Sequence, residues 1–220
     1  MILRILLISS SPRKEKGSTF ILAKEVLRGV SDFGVETEVI HLADQHINFC
    51  QHCQACHIKI MHCSVKDSIP VILNKMLEAD GIILASPNYI NQINAMMKAL
   101  LERSSHFIHC KRLLGKYIAA VVTSGSGLDT QILDYIKYYA HICGAQYSGG
   151  VSSCEKTVAE KIEEAYLLGG KLCRDIEEKK EFSEQIKIIE SSKEHFKKLI
   201  ELRKDEWEEE YLYWQEKNWL

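Results

Sequence analysis

The chain has 220 residues, 46% hydrophobic and 26% charged, an ordinary globular composition with length for one main domain and an appendage. Lys and Arg number 28 against 30 Asp and Glu, a formal net charge of -2, so the overall charge gives no footprint for nucleic acid or an anionic membrane.

The opening run Met1-Ile-Leu-Arg-Ile-Leu-Leu-Ile is too short for a membrane span and is interrupted by Arg4. A polar loop follows it, so it reads as a buried strand over 3–9 and not as a signal peptide. After the loop Ser9 to Thr19, a helical pattern carries Phe20, Ile21, Leu22, Val26 and Leu27 and stops at Gly34. Val35-Glu-Thr-Glu-Val-Ile alternates as a short strand does, completing a βαβ opening. A Cys-rich segment at 50–63 then interrupts the pattern as a long connection. A helix is expected over 65–77, a central strand from Asp80 to Pro87, and a helix over 93–109. A buried strand over 117–123, a helix over 130–143, a short strand over 146–152 and a helix over 157–178 complete the core. Five strands alternating with helices predict a doubly wound, mostly parallel α/β sheet. The first strand is followed by a hydroxyl-rich loop and not by Gly-x-Gly-x-x-Gly, which favours a flavodoxin-like arrangement over a Rossmann one. The main domain is expected over 1–180, with the Cys-rich insertion at 47–64. Beyond it, 181–220 carries Phe182, Ile186, Ile189, Phe196 and Ile200, then Trp207, Tyr211 and Trp214, at helical steps. This amphipathic helix or helix pair either packs on its own domain or crosses onto a partner subunit.

Ligands of open α/β sheets bind at the carboxyl ends of the strands. Three loops there are expected to form one site. The first offers Ser11, Arg13, Ser18 and Thr19 at a helix N-terminus, a setting for a phosphate; the alternative is that Ser18 or Thr19 merely caps the helix. In the second, Pro87 fixes the exit path while Asn88 and Tyr89 can address a planar ring. In the third, Ser124, Gly125 and Gly127 allow close backbone approach. No general acid or base is assigned.

Cys50, Cys53, Cys56 and Cys63 have the spacing C-x2-C-x2-C-x6-C. It suits an iron–sulfur cluster, a zinc site with His52, His57 or His62 as further ligands, or redox or free thiols. Cys110, Cys143, Cys154 and Cys173 read as buried thiols. A large core and clustered thiols point to a reducing, cytoplasmic setting.

Together these loops and the Cys run resemble the NAD(P)H-dependent FMN reductase superfamily, and within it the iron–sulfur flavoproteins. The resemblance covers residues 1 to about 180. Ser11-Pro-Arg-Lys-Glu-Lys-Gly-Ser-Thr is similar to the family's phosphate loop. Ser86-Pro-Asn-Tyr-Ile and Met97-Lys-Ala-Leu-Leu-Glu-Arg103 are similar to its Ser-Pro-x-Tyr loop and the helix after it. The resemblance implies that Ser11, Arg13, Ser18 and Thr19 hold the FMN phosphate. Pro87, Asn88, Tyr89, Ser124, Gly125 and Gly127 would line the flavin, and the four Cys would carry a [4Fe–4S] cluster. Ser18 stands where many relatives have Asn, and Asn91-Gln-Ile-Asn-Ala lacks the relatives' small residues. Tyr211-x-x-Trp-x-x-x-x-Trp-Leu resembles the end of related chains, whose extensions help build oligomers. The implied function is electron transfer between ferredoxin or NAD(P)H, the cluster, FMN and a small acceptor. A cluster-free FMN or quinone reductase and a non-enzymatic carrier or redox sensor are the alternatives.

Overall fold

In the computed structural model, which describes every residue except Met1, Ser126 and Leu128, the frame is one parallel sheet between helices. Its strands are β1 (Arg4–Ser9), β2 (Glu36–His41), β3 (Gly81–Tyr89), β5 (Tyr117–Ser124) and β6 (Gln146–Cys154), in spatial order β2-β1-β3-β5-β6. A two-residue strand β4 (Gln92–Ile93) folds back antiparallel on the end of β3. Setting β4 aside, this is the flavodoxin-like order, with its switch point between β1 and β3.

The burial pattern explains the layers. Ile5 to Ile8 are all buried, as a parallel strand covered on both faces requires. Leu6, Ile8, Ile82, Leu84, Ile118 and Val122 point to one core, under α3 (Ile69–Glu78), α4 (Ala95–Glu102) and α6 (Thr130–Ile142). Ile5, Leu7, Ile83, Ala85 and Val121 point to the other, under α1 (Ser18–Ser31) and α7 (Ile162–Glu177). Helices α1 and α7 nearly touch: a Cβ on Gly29 would meet the Tyr166 carbonyl oxygen at 2.0 Å, and one on Gly169 the Val26 carbonyl oxygen at 2.0 Å. Among the described residues no helix is long and apolar enough to cross a membrane.

Several boundaries differ from the sequence expectation. The segment 50–63 contains one helical turn, α2 (Ala55–Ile58), and α3 begins only at Ile69, behind Ser68 and with Pro70 in its first turn. The helix expected over 93–109 is two pieces, α4 and α5 (Ser105–His109), and at the break Arg103 turns its guanidinium into a buried ion pair. The loop expected after Ser86 is instead the end of β3, which turns back through Ile90 and Asn91, both at positive φ. The last core helix opens as a 3-10 stretch over Glu155–Lys161. Cys110, Cys143 and Cys173 are buried, but Cys154 is half-exposed and lies 3.5 Å from the Gly125 carbonyl oxygen, so the buried reading fails for it.

The extension is a helix pair, α8 (Ser183–Leu202) and α9 (Glu208–Glu216). Its apolar side chains Ile200, Trp207 and Trp214 are covered within the chain, around Cys110. At the start of α8, Gln185 accepts from the Tyr147 N–H at 2.7 Å and donates to the Tyr147 carbonyl at 3.0 Å, closing part of the free edge of β6. The Lys111 ammonium, buried beneath the same helix, donates to the carbonyls of Ile108 and Ile142 and to Ser192 Oγ, while burial lowers its pKa to about 8.

Candidate functional site

The carboxyl ends of β1, β3 and β5 lie side by side, so the loops leaving them share one cleft. It is lined by Ser11, Arg13, Ser18, Thr19, Pro87, Asn88, Tyr89, Thr123, Ser124, Gly125 and Glu155, and its volume is about 110 Å³. Nine of the ten residues expected to hold a flavin therefore border one cavity. The tenth, Gly127, donates its N–H to Ser124 Oγ at 2.7 Å. The third loop also includes Ser126 and Leu128, which lie outside the described residues.

Local interactions tie the loops of the cleft together. Gly17 is the N-cap of α1 and makes no side-chain cap, so Ser18 and Thr19 occupy the first turn and neither is the capping residue. A Cβ at Gly17 would sit 2.3 Å from Ser11 Oγ, so a larger residue there would turn that hydroxyl out of its place. Thr19 Oγ1 meets Thr123 Oγ1 at 2.6 Å, joining the first loop to the third. Asn94 joins the first to the second: its side chain donates to the Ser10 carbonyl at 2.6 Å, and its N–H to Ser86 Oγ at 3.2 Å. Asn88 donates to Asp129 at 3.3 Å. Uncapped N–H groups at the start of α1, hydroxyls and a guanidinium form a donor set suited to a phosphomonoester. One anion of the chain already faces that set. Arg13 donates to Glu155 Oε1 at 2.8 Å, Ser18 Oγ lies 3.4 Å from the same oxygen, and the bond from Arg13 keeps the Glu155 pKa below its ordinary value.

The Cys segment forms a second centre. Cys50, Cys53, Cys56 and Cys63 all border a cavity of about 40 Å³, together with Arg103 and Ser105. Each sulfur has its own polar neighbour. The His52 N–H points to Cys50, Ser64 Oγ lies 2.9 Å from Cys53, Ser105 Oγ lies 3.6 Å from Cys56, and Arg103 donates to Cys63 at 3.2 Å. Burial opposes ionisation of Cys56, but hydrogen bonds from His106 and His57 outweigh it and lower its pKa to about 5. The Cys53 pKa is lowered by the hydrogen bonds with Ser64 and the Ala55 N–H.

The extension fastens this segment. Glu210, fully buried, accepts from His57 Nδ1 at 2.7 Å through one carboxylate oxygen and from His109 Nδ1 at 2.9 Å through the other. Trp207 stacks on both imidazoles and donates its indole N–H to Gln54, while Glu209 accepts from the Ile60 N–H. Burial disfavours a charged His57, but bonds to the Cys56 sulfur and to Glu210 raise its pKa to about 9. Among the described residues, the three or more Cys, His, Asp or Glu side chains whose ligand atoms crowd together are His57, His109 and Glu210, a set with no thiol in it. His52 and His62, offered by the sequence as zinc ligands, are not part of it. Sequence reasoning missed Glu155, His109 and Glu210. Glu210 sits in an acidic run that reads as a solvated face, and Glu155 follows Cys154 with no motif to mark it.

Residues 3–160 match the family model described as NADPH-dependent FMN reductase. Over 133 residues the chain is 37% identical to an iron-sulfur flavoprotein of Methanocaldococcus jannaschii, covering 59% of this chain and 68% of that one. It is also 27% identical to an iron-sulfur flavoprotein of Archaeoglobus fulgidus, over 97% of this chain and 98% of the other. Among solved structures it is similar in fold to a flavone reductase (TM-score 0.65, 19% identity), covering 80% of this chain and 63% of that protein.

Proposed function

This chain belongs to the NADPH-dependent FMN reductase family and is an FMN-binding oxidoreductase, and on that premise we propose that it draws electrons from NAD(P)H and passes them to a small oxidised acceptor. The carrying observation is the strand-end cleft in which Ser11, Arg13, Ser18 and Thr19 face Pro87, Asn88, Tyr89, Ser124 and Gly125. Bound FMN would supply the redox chemistry, taking up a hydride or single electrons and releasing them. The chain's own part is positional. Ser11, Ser18, Thr19, Arg13 and the N–H groups of α1 receive the phosphate. Pro87, Asn88 and Tyr89 line the ring on one side, and Ser124, Gly125 and Gly127 offer backbone donors on another. Replacing Arg13 by alanine is expected to weaken FMN binding about 10- to 100-fold, the worth of a charge-assisted hydrogen bond. Riboflavin, which has no phosphate, should bind both proteins alike. Flavin fluorescence titration reads both, and an equal loss for the two ligands rejects the phosphate role of Arg13.

For the Cys segment the close grouping of His57, His109 and Glu210, without a thiol, favours a cluster-free reductase whose segment is structural. A second reading is supported by other observations: four thiols border one cavity, and the relatives just described are named iron-sulfur flavoproteins. Thiolates on separate irons of a cubane stand farther apart than ligands of a single ion, so a shared cavity is compatible with Cys50, Cys53, Cys56 and Cys63 holding [4Fe–4S]. In that version ferredoxin becomes a candidate donor. Iron and acid-labile sulfide, measured after anaerobic purification, decide between the two. The cluster-free reading expects flavin bands alone, whereas about four irons and four sulfides per chain would establish the cluster.

The proposal includes a reducing, cytoplasmic setting, which suits eight unpaired cysteines, and a homo-oligomer built partly through the exposed Ile188, Leu202 and Leu212 of the extension.

A further inference from the structure

We propose that Glu155 is a resident counter-anion of the phosphate cradle: its carboxylate stands beside Arg13 and Ser18 Oγ, and as a like charge next to an entering phosphate it lowers the affinity for phosphorylated flavin alone. This rests on the reading of the cleft as an FMN site.

Geometry carries the inference. Glu155 comes 142 residues after Arg13, yet its Oε1 stands 2.8 Å from the guanidinium and 3.4 Å from Ser18 Oγ. Its position is fixed by the turn that ends β6. Ser153 Oγ donates to the Cys154 carbonyl at 2.8 Å, Thr157 Oγ1 donates to the same carbonyl at 3.2 Å, and the two hydroxyls lie 3.2 Å apart. The carboxylate therefore reaches the cleft from a braced backbone.

Charge gives the consequence. Among the described residues lining the cleft, Arg13 is the one cation and Glu155 the one anion, so the side-chain charges cancel. A phosphomonoester near neutral pH carries a charge of about -1.5 to -2. It enters a lining without net positive charge and must share its neighbourhood with a second anion. The Arg13–Glu155 pair itself is no barrier, because its side chains are 62% and 51% exposed and such pairs are weak. The like charge that remains beside the phosphate opposes binding, more strongly at low salt than at high. The flavin ring carries no such charge, so riboflavin escapes the effect. Glu155 thus works as a specificity residue: it costs affinity for FMN but not for the unphosphorylated vitamin, and it narrows the margin that Arg13 creates.

The test is equilibrium titration of the flavin-free full chain with FMN and with riboflavin, for wild type and Glu155→Gln, at low and high ionic strength. Glutamine keeps the shape and hydrogen-bonding capacity and removes the charge. We expect E155Q to bind FMN about tenfold more tightly at low salt, an advantage that shrinks as salt is raised, with riboflavin unchanged. An E155Q protein whose FMN affinity equals or falls below that of wild type overturns the counter-anion. So does an equal gain for riboflavin, which would report on the ring or the fold. A wild-type protein that binds FMN no better than riboflavin, and does not respond to R13A, overturns the cradle reading itself. The two failures are thus told apart by whether wild type distinguishes the ligands.

Discussion

Replacing Arg103 by methionine lowers the stability of the fold by about 3–5 kcal/mol, the cost of stranding one member of a buried ion pair. Both side chains are almost wholly buried, and the contact is bidentate, at 2.6 and 3.0 Å from the guanidinium to the two oxygens of Asp67. Arg103 also donates to the Asn48 carbonyl at 2.9 Å and to Cys63 Sγ at 3.2 Å, while Asp67 accepts from the N–H groups of Asn48 and Ile69. One pair thus pins both ends of the Cys-rich insertion to the break between α4 and α5. Urea denaturation of R103M, D67N and the double variant measures the effect, and the double variant should recover part of the loss because no charge is then left alone. Burial raises the Asp67 pKa, but the bonds from Arg103 and two backbone N–H groups outweigh it, so its folded value lies below the ordinary 3.8. The pair's stabilisation is therefore complete above pH 3.8 and is lost as pH falls through the lower folded value. In R103M that acid-sensitive component should be smaller, and an unchanged acid limb would reject the assignment.

The second large effect belongs to Glu210. Its removal in Glu210→Ala leaves His57 and His109 without their shared acceptor and is expected to cost about 2–4 kcal/mol, somewhat below a fully buried pair because both imidazoles keep partial access to solvent. The loss should concentrate in the docking of α9, so hydrogen exchange should quicken over 207–217 before it does in the sheet. The pH dependence has two edges. The raised His57 pKa contributes stability that is full below 6.5 and disappears as pH rises through about 9. Glu210, whose pKa is lowered against the opposing effect of burial by bonds from His109 and His57, contributes stability present above 4.5 and lost as pH falls. The extension is therefore held most firmly between these limits. In E210A the His57 titration, followed by NMR, should move down from about 9 because burial then acts with one raising partner fewer. The Cys56 thiol of the metal-free protein should become slower to alkylate at neutral pH. A His57 titration that stays in place would refute the coupling.

The sheet was legible because parallel strands covered on both faces are continuous apolar runs, and Ile5–Ile8, Ile82–Ala85 and Ile118–Val122 all have that form. The cleft was legible for a topological reason: loops leaving the carboxyl ends of neighbouring strands must be neighbours, so strand order alone brings Ser11, Asn88 and Ser124 together. Short elements were not legible. The single turn Ala55–Ile58 has no room for a 3.6-residue period, and β4 is a two-residue consequence of positive φ at Ile90 and Asn91. Nor was the break at Arg103, since an unbroken helical pattern does not reveal that one of its cations is needed 36 residues away, at Asp67. Charged residues with distant roles were the hardest to find. Glu155 and Glu210 look like surface acids, and only the fold shows the first beside a cradle of donors and the second beneath two imidazoles.

The bond from His57 to Glu210 spans 153 residues of chain. A ribosome adding about 5–20 residues per second would need roughly 8–30 s to deliver Glu210 after His57 has been made. Throughout that interval Cys50, Cys53, Cys56 and Cys63 exist without Trp207, Glu209 and Glu210 to fasten their segment. A metal, reductant or stray oxidant that reaches those sulfurs within the interval meets them before the final helix arrives, and slower translation lengthens the exposure.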